Sequence, residues 1–222
     1  MAIVRKGQPA ITRILPHMQN RRIAAAQNMA PVKVLFTGDS WTDNTGFPDV
    51  CDYLPASVVG GFEWVNEGIA GSPLADISGA GSLEARIAGE LSTHNPDVVI
   101  ITTAGINDGW VNTSPAALEA AAQSILDDCR AAGAVPVFVN PPMVSNYPGA
   151  AVANALQWRN DTLPAFCAAN NLPQAGCRGI LGDDSGIFAQ YARDTSHLNK
   201  LGHDVLRQVI YQAIKVISSR AA

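Results

Sequence analysis

Residues 97–105, DVVIITTAG, are the most apolar run in the chain, with Val98, Val99, Ile100 and Ile101 following one another without a polar residue between them. A strand with one wet face alternates apolar and polar side chains, because successive residues point to opposite faces. An unbroken β-branched run leaves no face for water, so it belongs in a parallel sheet covered by helices on both sides. VKVLFTG (32–38) has the same character, FEWVNEG (62–68) reads as another strand, and AVPVFVNPP (134–142) as a fourth, closed by prolines. A weak strand is expected around 173–180.

The segments between these strands read as helices. SLEARIAGELSTH (82–94) has helical periodicity and is followed by Pro96. The clearest helix is 114–133, where Ser114 is a natural N-cap, Pro115 occupies the first helical position and Gly133 is the terminal glycine. Residues 151–171 are helical with a break near Pro164, and 200–219 form an amphipathic C-terminal helix. A short helix is also expected within NRRIAAAQNM (20–29), ended by Pro31. Strands alternating with helices imply right-handed crossovers. The expectation is therefore a single α/β domain over 32–222, built on a parallel sheet. A basic arm, 1–31, precedes it.

A chain of 222 residues, 47% hydrophobic and 15% charged, supplies one such domain with a substantial core. Its net charge of −4 conceals an asymmetry. Six of the 15 basic residues (Arg5, Lys6, Arg13, Arg21, Arg22 and Lys33) precede the first acidic one, Asp39, leaving nine basic against 19 acidic residues beyond. An acidic body opposes nucleic-acid binding, which needs a basic face. No apolar run reaches the ~18 residues a membrane helix requires, so no membrane insertion is expected. The start, MAIVRKGQPAITR, has no signal-peptide core, which leaves both a cytoplasmic setting and a secreted or virion assembly open. Self-association, or tethering through the basic arm, is the partner expectation. Cys51, Cys129, Cys167 and Cys177 form no C-x-x-C pair and no zinc spacing. They read as buried thiols, with a short loop closed by Cys167 and Cys177 as the alternative.

In open parallel sheets, sites form beyond the carboxyl ends of the strands. There the chain places Gly38-Asp39-Ser40, then Asn66, Gly68 and Gly71 of NEGIAGS, then Gly105, Asn107 and Asp108 of AGIND, and Asn140. Asp194 and His197 of RDTSHLNKLGH stand just before the last helix. Ser40 taken alone is a turn or helix-cap residue, Gly71 a turn glycine, and Asn107 before Asp108-Gly109 a turn. Asp39 reads as a brace for the turn. His203 sits just inside a helix with nothing acidic three residues before it, which suits a structural role, and His17 and His94 read as surface groups.

Taken together, GDS, NEGIAG, GIND and DTSH occur in order, and over residues 32–205 the chain resembles the SGNH or GDSL-type serine hydrolases. The G-x-S-x-G elbow of the other large α/β esterase fold is absent. The resemblance implies Ser40 as nucleophile, His197 as base and Asp194 as the carboxylate that orients it. It also implies an oxyanion hole from the N–H groups of Ser40 and Gly71 and the Asn107 side chain. The fold that goes with the resemblance is a three-layer α/β/α domain whose five-stranded parallel sheet has the flavodoxin-like order 2-1-3-4-5, and no cofactor or metal is implied.

The reaction expected is ester hydrolysis through an acyl-serine intermediate. The family includes acetyl esterases on sugars, lipases and thioesterases, so the fold does not select among them. Trp41 beside the nucleophile and Trp110 after GIND are candidate substrate-binding rings that stack on sugar faces, or else packing residues. They point to a short-chain O-acetyl esterase acting on acetylated carbohydrate. A broad short-chain esterase, lipase or thioesterase is the alternative, and an inactive module of a surface or phage-tail assembly is the alternative outside enzymes.

Overall fold

A computed structural model describes residues 31–43, 62–76, 81–102 and 104–220, with side chains of the last helix described as far as Ile214. The expected helix at 20–29 and Cys51 lie outside these residues. Strands β1 (Val32–Gly38), β2 (Phe62–Gly68), β3 (Val98–Ile101), β4 (Val135–Asn140) and β5 (Gln174–Gly176) form one sheet in the order β2-β1-β3-β4-β5. Every pairing in it is parallel. This is the flavodoxin-like sheet the sequence implies.

The helices are α1 (Leu83–His94), α2 (Pro115–Ala132), α3 (Gly149–Gln157), α4 (Leu163–Ala169) and α5 (Lys200–Arg220). Their ends follow the local signals. The Ser82 hydroxyl accepts the Ala85 N–H to start α1, and Ser114 accepts from Ala117 to start α2, with Pro115 in its first turn. Gly133 closes α2 at φ +74°, a left-handed conformation that costs glycine nothing.

Alternate strand residues serve two cores. Val34, Phe36, Val98, Ile100, Val137 and Val139 pack with Ala155 of α3 and with Leu206, Ile210 and Ile214 of α5. Leu35, Val99, Ile101 and Phe138 face the other way, onto Leu83 and Ile87 of α1, Leu118 and Ile125 of α2, and Phe166 of α4. Unbroken apolar strands and amphipathic helices thus explain each other. Cys177 lies in the first core and Cys167 in the second, on opposite faces of the sheet. Both are free buried thiols, as is Cys129, and burial pushes all three up to about 12.

One segment differs from expectation, and another breaks as expected but in a form the sequence did not specify. Strand β3 leaves the ladder after Ile101 rather than running to 105, because the chain turns through Gly105 at φ +87°. The helix expected at 151–171 is interrupted by a π-helical turn, Trp158–Thr162, just ahead of Pro164. Proline lacks the N–H that a continuous helix would need there.

Register places the site. Gly38 lies opposite Gly68, Thr37 opposite Ile101, and Ile101 opposite Phe138. Strands β1 to β4 therefore end nearly level, and their following loops share one rim.

Candidate functional site

The turn after β1 is built around Asp39. Its carbonyl accepts the N–H groups of Thr42 and Asp43, both at 2.9 Å, and its Oδ1 accepts the Trp41 N–H at 3.0 Å. Asp39 braces the turn, as its neighbours suggested. Gly38 needs its lack of a side chain: it adopts φ +144°, and a Cβ there would fall 2.5 Å from Thr102 Oγ1 and 2.7 Å from the Thr102 carbonyl. From α1, Arg86 reaches under the turn and donates to the Gly38 carbonyl at 2.7 Å and the Glu67 carbonyl at 2.8 Å. Burial lowers its guanidinium from the usual value, against the pull of Glu67 and Asp39.

Ser40 is 9% exposed on this turn. Its hydroxyl lies 3.0 Å from His197 Nε2. The other imidazole nitrogen, Nδ1, lies 2.9 and 3.0 Å from the two Asp194 oxygens. Hydroxyl, imidazole and carboxylate stand in one hydrogen-bonded line, a geometry that can draw the hydroxyl proton onto the imidazole while the carboxylate fixes the tautomer.

The loop carrying His197 is closed on itself. Ala192 bridges Leu198, and the His197 carbonyl accepts the Arg193 N–H. Asp194 Oδ1 accepts the N–H groups of Ser196 and His197, both at 2.8 Å. Burial would raise the Asp194 carboxyl, but the Ser196 N–H, the His197 imidazole and the Arg193 guanidinium outweigh it and hold it at about 2. It is therefore a carboxylate throughout the neutral range. His203 is buried at 1% in α5, and His197 alone of the two stands at Ser40. His94 is half-buried on α1, 2.7 Å from Glu67.

The remaining rim residues come together as well. Gly71, exposed and at φ +78°, lies in the loop after β2. That loop is held by Asp43, whose carboxylate accepts the Ala70 N–H at 2.9 Å. Asn107 begins a 3₁₀ turn, Asn107–Gly109. Its Nδ2 donates to Asp39 Oδ2 at 3.2 Å and to the Ser72 carbonyl at 3.1 Å, so it ties together the turn after β1 and the loop after β2.

The chain matches the GDSL-like Lipase/Acylhydrolase family over residues 36–205. It belongs to that family. As a GDSL-like protein it is a carboxylic ester hydrolase. No curated protein matches it in sequence. Solved structures share its fold. An acetylxylan esterase from Geobacillus stearothermophilus superposes with a TM-score of 0.65 at 20% identity, covering 83% of this chain and 94% of that one. A carbohydrate acetylesterase from Sinorhizobium meliloti gives 0.67 at 16%, with coverages of 84% and 99%. An aryl esterase from M. smegmatis gives 0.67 at 15%, with coverages of 83% and 99%.

The two tryptophans part company in this GDSL-like site. Trp41 is 1% exposed and presents no ring to a sugar, which corrects its reading as a substrate-binding residue. It belongs to the core that also holds Val34, Phe36 and Leu198, and its indole N–H donates to the Ser196 carbonyl at 2.8 Å. It fastens the loop carrying His197 to the turn carrying Ser40. Trp110 is 39% exposed, its ring edge-on to Tyr147 with centroids 5.2 Å apart.

Sequence reading passed over Arg86 and Asn199. The Asn199 side chain accepts the Gly202 N–H at the start of α5 and donates to the Gln190 carbonyl at 2.8 Å. An Asn just ahead of a helical period is an N-cap signal that would have found it. Nothing local marks Arg86.

Proposed function

We propose that the protein is a short-chain O-acetyl esterase acting on acetylated carbohydrate, with Ser40 as nucleophile, His197 as general base and Asp194 as its orienting carboxylate. The observation that carries the mechanism is the unbroken line from Ser40 Oγ through the imidazole to Asp194, with contacts of 3.0 and 2.9 Å. Ser40 Oγ attacks the ester carbonyl as its proton passes to His197 Nε2. The tetrahedral oxyanion is met by the N–H groups of Ser40 and Gly71, and by Asn107 once its 3.1 Å bond to Ser72 gives way. The imidazolium returns the proton to the departing sugar oxygen, leaving acetyl-Ser40. Water, deprotonated by the same imidazole, then releases acetate and restores the hydroxyl.

For the substrate, the support is Trp110. Its half-exposed ring is fixed in orientation by Tyr147 and stands two residues past Asp108 in the rim turn, suited to a flat sugar face. The acetylxylan and carbohydrate acetylesterases of the same fold point the same way. The test compares kcat/KM for p-nitrophenyl acetate, butyrate and octanoate with acetate release from acetylated xylo-oligosaccharide, in the native protein and in Trp110→Ala. The expected result is preference for acetyl, release from the glycan, and loss of glycan activity with small-ester activity kept in the variant. Each methylene seated in an apolar pocket adds about 1 kcal/mol, so tenfold preference for octanoyl would replace this reading with a lipase- or thioesterase-like one. Acetyl preference with an untouched glycan leaves a broad short-chain esterase.

A further inference from the structure

Beneath the rim lies a group of buried polar side chains to which acyl transfer assigns no part. Asp108 is 0% exposed, Arg159 2% and Tyr147 7%. Asp108 follows Asn107 in the 3₁₀ turn, and its two oxygens accept the main-chain N–H groups of Leu74 at 2.7 Å and Ala75 at 3.1 Å. A single carboxylate thereby joins the turn after β3 to the loop that carries Gly71. Asn107 grips the same loop through the Ser72 carbonyl. In the resting site, two consecutive residues thus hold one loop at three positions, 72, 74 and 75.

The turn is itself backed from the opposite direction. The Tyr147 hydroxyl donates to the Ile106 carbonyl and accepts from Arg159 at 2.8 Å. Arg159 also lies over the Tyr147 ring, 5.4 Å from its centre. That ring closes on Gly109, where a Cβ would run into it. Trp158 donates to the Ala104 carbonyl at 2.9 Å. Trp158 and Arg159 both belong to the π-helical turn, so this irregular element supplies two of the side chains that back the turn after β3.

We propose that Asp108 is a positioning residue of the oxyanion site, its carboxylate setting the spacing between the Gly71 N–H and the Asn107 amide, with Tyr147 and Arg159 as the backing that keeps the turn from yielding. The proposal rests on the reading of Gly71 and Asn107 as oxyanion donors. An oxyanion donor contributes mainly in the transition state and is sensitive to small displacement, so loosening its mount should lower kcat and spare KM. Asn in place of Asp108 keeps the shape but turns an N–H toward one of the two donors, which opens the clamp.

The test measures kcat and KM on p-nitrophenyl acetate, and inhibition by phenylboronic acid, a tetrahedral mimic, for full-length Asp108→Asn and Tyr147→Phe beside Ser40→Ala. Asp108→Asn should lose about 30- to 100-fold in kcat with KM within about threefold, and lose boronate affinity in parallel. Tyr147→Phe, which removes one hydroxyl, should lose about five- to tenfold in the same pattern, and it decides the matter if Asp108→Asn does not fold. A lowered melting temperature with kcat within about twofold of native, or a loss confined to KM, overturns the proposal. An inert Ser40→Ala beside normal turnover in the other two removes this proposal alone. A fully active Ser40→Ala removes the acyl-serine reading, and this proposal with it.

Discussion

Ser40 and His197 meet at 3.0 Å, yet the segments that bring them there differ in almost every physical respect. The turn carrying Ser40 belongs to the core: Asp39, Trp41 and Thr42 are 2%, 1% and 0% exposed. It is held by sheet register, by a glycine with no room for a Cβ, and by Arg86 from below. The loop carrying His197 is at the surface, with the Asp194 and His197 side chains 44% and 25% exposed. It is held by its own hydrogen bonds to Asp194, by Asn199 at the start of α5 and by the Trp41 indole. The fold fixes one partner, and local bonding presents the other to it. Damage to the first half should therefore appear as instability, and damage to the second as lost turnover.

The largest expected effects set these halves against each other. His197→Ala should lower kcat about 10⁴- to 10⁶-fold while moving the melting temperature by only about 2 °C, since a part-exposed loop side chain contributes little to stability. Gly38→Ala should do the reverse first, costing about 2–5 kcal/mol through a strained φ and collision with Thr102. Thermal unfolding and steady-state kinetics on both variants check the pair. A stable, active Gly38→Ala would break the comparison.

Trp41→Phe probes the seam between the halves. It keeps most of the buried ring but removes the bond to the Ser196 carbonyl, so kcat should fall about tenfold with KM little changed. Unchanged kcat would mean that the loop docks without the indole.

Much of this division was legible in the sequence. The four short blocks pointed to one rim, where Ser40 and His197 stand 3.0 Å apart, because each block lies where a strand or helix ends and local signals are strong. The Ser114 cap and the Gly133 stop fixed α2 for the same reason. Trp41 was misread because an aromatic residue after a turn carries no sign of which way it faces. Only the tertiary burial of Trp41, within the core that also holds Val34, Phe36 and Leu198, decides that. Tyr147 and Arg159 were equally silent, and Asp108 was placed at the rim without any sign of its partners, since these contacts join residues 12 to 41 positions apart and leave no period behind. The split of the helix at 151–171 was foreseen from Pro164, but the π-helical form of the break was not.

A smaller effect concerns acid. Asp194 is held at about 2, below its ordinary 3.8. Because the folded value lies below the unfolded one, the stability this group contributes is present above about pH 4 and is lost as pH falls toward 2. Asp194→Asn should flatten the pH dependence of the melting temperature across that window and leave it unchanged near neutrality. Equal slopes in the two proteins would show that the loop gains nothing from the ionised carboxylate.

The central claim is that Ser40 takes the acyl group, and covalent trapping tests it most directly. A p-nitrophenyl phosphonate ester should lose nitrophenolate as one phosphonyl group bonds to Ser40 Oγ. Peptide mass spectrometry should then find a single adduct on the segment containing Ser40, absent in Ser40→Ala and formed far more slowly in His197→Ala. An adduct on another residue, or ester hydrolysis that persists with Ser40 replaced, would contradict the account.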